Sequence, residues 1–278
     1  MSGRLDAVLA DRGLARSRTH AARLIADGRV MVDGRAATKA SLRIADEQAI
    51  EVDADHYVSR AAHKLIAALD AFGIDVASRV ALDMGASTGG FTQVLRERGA
   101  DPVLAVDVGH DQISPDIAAD QGVRVVEGMN VRFMTPEALT DATGIHAAPS
   151  IVTGDLSFIS LAHVIPAAVA AADPAADFVL LVKPQFEVGR ERIGGGVVED
   201  PALQARAVGG VIESAREAGL AALGLIDSPI AGTHGNREFV VHLASGRQGD
   251  DDRIARAVAA IARGEGANPR EGGPDPTE

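Results

Sequence analysis

From residue 80 onward the chain alternates short aliphatic runs with helix-length segments, and that rhythm leaves few folds open. Runs at 80–84, 102–106, 124–127, 150–153, 178–182, 220–228 and 239–243 read as strands. Segments 90–98, 115–120, 135–140, 161–171 and 201–218 read as helices. Alternation of this kind implies an α/β fold built on a parallel sheet with helices on both faces. A further helix is expected over 60–72, with Leu65, Ile66, Leu69 and Phe72 on its apolar side. Only 3% of residues are aromatic against 46% hydrophobic, so aliphatic side chains and Ala must fill the core.

The sharpest local signal is Ala81-Leu82-Asp83-Met84-Gly85-Ala86-Ser87-Thr88-Gly89-Gly90-Phe91-Thr92. A strand runs into a glycine-rich turn that opens a helix, so backbone can approach a ligand closely and helix N–H groups point at it. The next strand ends in Asp107, where a carboxylate accepts ribose hydroxyls in dinucleotide folds. A phosphate-binding P-loop fits poorly, because Phe91 stands where its lysine must be. The spacing G-x-x-x-G-G also departs from the nicotinamide fingerprint. S-adenosylmethionine carries no phosphate, needs a close glycine turn and needs an acid for its ribose. It is the cofactor this pattern fits best.

Lysine is scarce, and the few lysines are informative: 24 of the 27 basic residues are Arg, leaving Lys39, Lys64 and Lys183. Arg supplies fixed charge, whereas Lys is a compact donor that can lose its proton. Lys183 ends the apolar run 178–182, and Asp155 ends the run 150–153. Ligands of open α/β sheets bind at the carboxyl ends of strands, so both should meet the pocket of Gly85 and Asp107. A buried Asp–Lys pair kept for stability alone is the plainer alternative, though such pairs stabilise poorly.

Charge divides the chain. The first 45 residues carry nine Lys/Arg against four Asp, a net +5 in a chain of net −12. Two short helices, with Gly13 and Gly28 as stops and Ser17 as an N-cap, precede strands and a turn at Asp33-Gly34. Arg4, Arg16, Arg18 and Arg23 are the candidates here for phosphate contacts, with Arg60 beyond them. There is no cysteine, hence no disulfide or thiol nucleophile, and no His/Cys cluster to suggest a metal. No run approaches a membrane span and the N-terminus has no apolar signal core, so a cytoplasmic protein is expected.

The N-terminal pattern Arg4-Leu5-Asp6, Gly13-Leu14, Ser17-Arg18, Leu24-Ile25, Gly28 and Val32-Asp33-Gly34 resembles the S4 RNA-binding domain. Five motifs follow in order: Ser59-Arg60-x-x-x-Lys64-Leu65, Asp83-x-Gly85 through Thr92, Asp155-Leu156-Ser157-Phe158-Ile159-Ser160, Val182-Lys183-Pro184-Gln185-Phe186-Glu187 and Gly235-Asn236-x-Glu238. Together they resemble the TlyA, or hemolysin A, family of ribosomal RNA 2′-O-methyltransferases, in which an S4 domain precedes an FtsJ-like catalytic domain. The resemblance covers about residues 3–245. It implies a Rossmann-like methyltransferase sheet and a catalytic tetrad at Lys64, Asp155, Lys183 and Glu238. It places S-adenosylmethionine against Asp83, Gly85, Ala86, Ser87, Thr88, Gly89, Gly90, Phe91, Thr92, Asp107, Val108, Asn130, Val131 and Asp155. The partners implied are ribosomal RNA or ribosomal subunits, with neither metal nor membrane. The implied organisation is an S4-like domain at 1–52, a linker at 53–59, a catalytic domain at 60–246, and a C-terminal helix with a disordered tail at 247–278. Ala61 stands where the family often has Gly, and Gly194-Gly195-Gly196 lacks a lysine often found there. A non-catalytic RNA-binding factor, and a membrane-lytic protein as the older family name suggests, are the rival classes.

Overall fold

The computed structural model describes residues 3–15, 17–26, 28–52, 56–189, 196–232 and 234–267, with the Arg23 side chain left aside. The expectations for Arg16, the Arg23 side chain, residues 53–55, Gly194-Gly195 and the tail from 268 lie outside the described residues. The chain divides into two compact units, Met1–His56 and Tyr57–Glu278.

The first unit starts with β1 (Gly3–Arg4), α1 (Leu5–Asp11) and α2 (Arg18–Ala26). Four short strands follow: β2 (Val30–Val32), β3 (Arg35–Ala36), β4 (Arg43–Ile44) and β5 (Ile50–Val52). Strand β2 lies between β3 and β5, while β1 pairs with β4. Asp33 and Gly34 both hold positive φ, at 49° and 74°, the backbone that a two-residue hairpin between β2 and β3 demands. Leu5, Leu9, Leu24, Ile25, Val30 and Ile44 close a small core of their own.

The second unit runs α3 (Ala62–Phe72), β6 (Ala81–Met84), α4 (Gly90–Glu97), β7 (Val103–Asp107), α5 (Pro115–Ala118) and β8 (Val123–Glu127). It continues α6 (Pro136–Thr143), β9 (Ile151–Gly154), α7 (Ile165–Ala171), β10 (Asp177–Val182), α8 (Pro184–Glu187) and α9 (Pro201–Glu217). It ends β11 (Leu220–Asp227), β12 (Phe239–Ser245) and α10 (Asp251–Ala262). Seven strands form one sheet in the order β11-β12-β10-β9-β6-β7-β8. Alternate residues serve opposite faces. Leu82, Val152, Phe178 and Leu180 pack with Ile165, Val208, Val211 and Ile254 of α7, α9 and α10. Ala81, Ile151, Val179 and Leu181 pack with Leu65, Leu69, Val94 and Leu95 of α3 and α4.

Two expectations need correcting. The sheet is mixed, because β12 runs antiparallel to both β10 and β11. Among the described residues its link from β11 holds no helix, and without a crossover two neighbouring strands can only turn back on each other. The helix expected over 161–171 is broken into a 3₁₀ turn, Leu161–His163, and α7. Pro166 accounts for the break, since proline is accepted in the first helical turn and not inside.

Candidate active site

The carboxyl ends of β6, β7, β9 and β10 meet at one edge of the sheet. Gly85 takes φ +79°, and a Cβ there would stand 3.0 Å from the Asp155 carbonyl oxygen, so only glycine lets the two strand ends meet. Gly89, at φ +95°, caps α4. Gly85 N and Ala86 N both donate to the Val106 carbonyl, at 2.8 and 3.1 Å, which ties the turn to β7. Asp107 is held by two backbone donors: Ser87 N on Oδ2 and Gly109 N on Oδ1, each at 2.8 Å. Each oxygen keeps a lone pair for a further donor.

A cavity of about 730 Å³ opens over this turn, walled by Gly85, Ser87, Asp107, Val108, Asn130, Val131 and Asp155 among others. Three of the four exposed large apolar residues among the described ones line it: Val108, Phe133 and Phe158. A second cavity of about 550 Å³ is lined by Lys183, Gln185, His234, Asn236 and Glu238. Ser157, Phe158 and Phe186 belong to both cavities and form the wall between them.

That wall backs onto a chain of alternating charge. Glu238 Oε2 lies 2.6 Å from Lys64 Nζ, which lies 3.7 Å from Asp155 Oδ2. Lys183 Nζ lies 2.6 Å from Asp155 Oδ1, at an angle that makes an ion pair without a hydrogen bond, and donates to Ser157 Oγ at 2.9 Å. Lys64, Lys183 and Glu238 are all buried. The fold explains the convergence. Lys64 sits on α3, Asp155 follows β9 and Lys183 follows β10. Pairing of Val182 with Phe239 sets Lys183 beside Glu238. Two acids and two bases cancel one another, and removal of any one leaves a buried charge without its partner.

Not every expected residue reaches a cavity. Asp83 is fully buried beneath the turn, accepting from Thr92 Oγ1 at 2.7 Å and Thr153 Oγ1 at 3.2 Å. With no cation beside it, burial pushes its carboxyl up to about 7, helped by the nearby charge of Asp155 and opposed by the two hydroxyls. Phe91 packs in the α3/α4 core and Thr92 is buried, so Ala86, Thr88, Gly89, Gly90, Phe91 and Thr92 build the turn without lining the cavity. Arg4 and Arg18 both bind Asp6, and the Arg4 bond together with Arg18 holds that buried carboxyl down to about 2. Both guanidiniums stay about half exposed or more, and Arg60 is exposed. Sequence reasoning missed Asn236 as a support. Buried, it receives Val198 N and donates to Gly196 O, each at 2.9 Å, two residues before Glu238. Its rarity, one of three Asn in the chain, was the available signal. It also missed Arg132 and Phe133, whose guanidinium and ring lie 5.3 Å apart beside the first cavity.

Among the described residues no group of three or more His, Asp or Glu is placed to hold a metal, and no helix is long and apolar enough to cross a membrane.

Residues 57–245 match the FtsJ-like methyltransferase family and residues 3–50 match the S4 domain. The chain is 47% identical over 266 residues to the 16S/23S rRNA (cytidine-2′-O)-methyltransferase TlyA of Mycobacterium tuberculosis, covering 92% of this chain and 97% of that one. It is 36% identical to Hemolysin A of Brachyspira hyodysenteriae, over 86% of this chain and 98% of that one. A solved structure from Streptococcus thermophilus, described as a hemolysin, superposes with a TM-score of 0.74 at 36% identity, over 95% of this chain and 96% of that one.

Proposed function

The chain belongs to the FtsJ-like methyltransferase family, in its TlyA branch, and on that premise we propose that it methylates the ribose 2′-hydroxyl of a cytidine in 16S or 23S ribosomal RNA, with S-adenosylmethionine as donor. The observation that carries the reading is the buried Lys64–Asp155–Lys183–Glu238 chain, set behind the wall shared by two cavities. In this reading the first cavity would take the nucleoside of the cofactor and the second the group that receives the methyl.

The residues of the first cavity fit S-adenosylmethionine. Asp107, already aimed by Ser87 N and Gly109 N, would take the ribose hydroxyls, while Val108 and Val131 offer apolar contact. When bound, the cofactor supplies an electrophilic methyl group. A 2′-hydroxyl is a poor nucleophile, so the protein must hold it in near-attack geometry and deal with its proton. Lys183 would contact that oxygen, either as an ammonium that orients it or, once its own extra proton has left to solvent, as the amine that takes the hydroxyl proton. Asp155 fixes the Lys183 ammonium on one side, and Lys64 with Glu238 fixes Asp155 on the other. Phe158, 88% exposed and held at φ +65°, presents a ring on which an unstacked base can lie. Arginines of the first unit would grip phosphates, giving affinity that weakens with salt. A ribosomal substrate implies action in the cytoplasm.

The test is transfer of labelled methyl to unmodified ribosomal subunits, followed by alkaline hydrolysis of the RNA. Ribose methylation blocks cleavage, so label in an alkali-resistant dinucleotide supports the reading. Label confined to mononucleotides would point to base methylation and overturn it.

A further inference from the structure

Two motif segments hold the catalytic pair. Asp155 begins the segment that runs to Ser160, and Lys183 begins the single helical turn that ends at Glu187. Three contacts join the segments like rungs. Lys183 Nζ donates to Ser157 Oγ at 2.9 Å, and the Phe158 and Phe186 rings lie 5.2 Å apart. At the far end the Glu187 carboxyl takes two donors on separate oxygens: Ser160 Oγ on Oε2 at 2.5 Å and Leu161 N on Oε1 at 3.0 Å.

The third rung has features that a surface contact lacks. The two hydrogen bonds that the Glu187 carboxyl receives both come from the segment around Ser160, one from a side chain and one from the backbone. Burial pushes it above the usual carboxylate range, and Ser160, Leu161 and the charge of the nearby His163 oppose that rise. The segment it restrains is under strain, since Phe158 holds φ +65° without being glycine. A strained loop keeps one conformation only when its surroundings impose it. The Lys183 rung cannot do this alone, because Lys183 must exchange contacts with substrate. The same segment walls both cavities, so slack in it would move both at once.

We infer that Glu187 is a positioning residue, which by binding Ser160 and Leu161 locks the Asp155–Ser160 segment to the turn that carries Lys183 and thereby sets the Asp155–Lys183 geometry. The inference rests on the catalytic reading given above for its effect on rate, while the lock itself is a statement about the fold.

The test compares Glu187→Gln and Glu187→Ala in the full chain. Gln keeps an acceptor for Leu161 N and a polar group for Ser160, whereas Ala keeps neither. With Glu187→Ala, kcat for methyl transfer should fall about 100-fold, the scale set by a misplacement near 1 Å, with a smaller loss of S-adenosylhomocysteine affinity by calorimetry. Glu187→Gln should restore most of kcat. Hydrogen exchange at the Leu161 amide should speed up in the Ala variant and stay slow in the Gln variant. A Glu187→Ala enzyme with wild-type kcat and a protected Leu161 amide overturns the inference. So does a Gln variant as slow as Ala, which would mean that the charge acts directly. If the wild type transfers no methyl to RNA, the catalytic reading fails, and the exchange comparison still decides whether the lock exists.

Discussion

Replacing Asp83 by Asn changes one atom in a fully buried carboxyl that faces the Thr92 and Thr153 hydroxyls, the Thr92 amide and the nearby like charge of Asp155. In the unfolded chain the group titrates near its ordinary 3.8, and in the folded protein near about 7. A raised folded value means that its stabilising contribution is complete below 3.8 and is lost as pH rises through about 7. Asn keeps the shape and cannot ionise, so the variant lacks that loss. From the size of the shift, the variant should gain about 3 kcal/mol on the wild type between about pH 5 and about pH 8. The assay is urea unfolding followed by far-ultraviolet circular dichroism at both pH values. The first unit contributes equally to both proteins and cancels in the difference. Parallel stabilities at the two pH values, or a variant that loses ground as pH rises, would refute the reasoning. It would then follow that Thr92 and Thr153 stabilise the ionised carboxylate more than burial penalises it.

Other perturbations follow from the same geometry. Glu238→Ala leaves Lys64 buried without its 2.6 Å partner and should cost about 3–5 kcal/mol in urea unfolding, with Glu238→Gln costing clearly less. Gly85→Ala forces a Cβ to 3.0 Å from the Asp155 carbonyl at φ +79°, so S-adenosylhomocysteine affinity by calorimetry should drop about 10-fold or more. Arg4→Ala should weaken RNA binding and reduce the slope of log affinity against log salt by about one, while leaving cofactor affinity unchanged.

Much of the fold could be read along the chain because its signals are local. The aliphatic runs gave the strands, and Asp33-Gly34 gave the hairpin, since each depends only on neighbours in sequence. The reversal of β12 was also present, in the missing helix between 228 and 239, but strand composition alone does not carry direction. Lys64 and Lys183 stood out through scarcity, and Asp155 through its place at a strand end. Glu238 came only from family resemblance, because nothing in its own neighbourhood says that α3 will deliver Lys64 to it across 174 residues. Asp83 shows the opposite limit. A sequence motif records that a residue matters to a turn, not whether it faces the ligand or the core, and here it faces the core. Asn236 and Glu187 were visible as motif members, yet their bonds to Val198, Ser160 and Leu161 exist only once the loops are placed.

The most direct test is single-turnover methyl transfer to unmodified 30S and 50S subunits by the wild type and by Lys183→Ala, with cofactor affinity measured on the same preparations. The expected result is label on ribose with the wild type, a rate lower by about 100-fold or more in the variant, and equal cofactor affinity in both. Undiminished transfer by Lys183→Ala would remove Lys183 from the chemistry and contradict the catalytic role given to the buried charge chain.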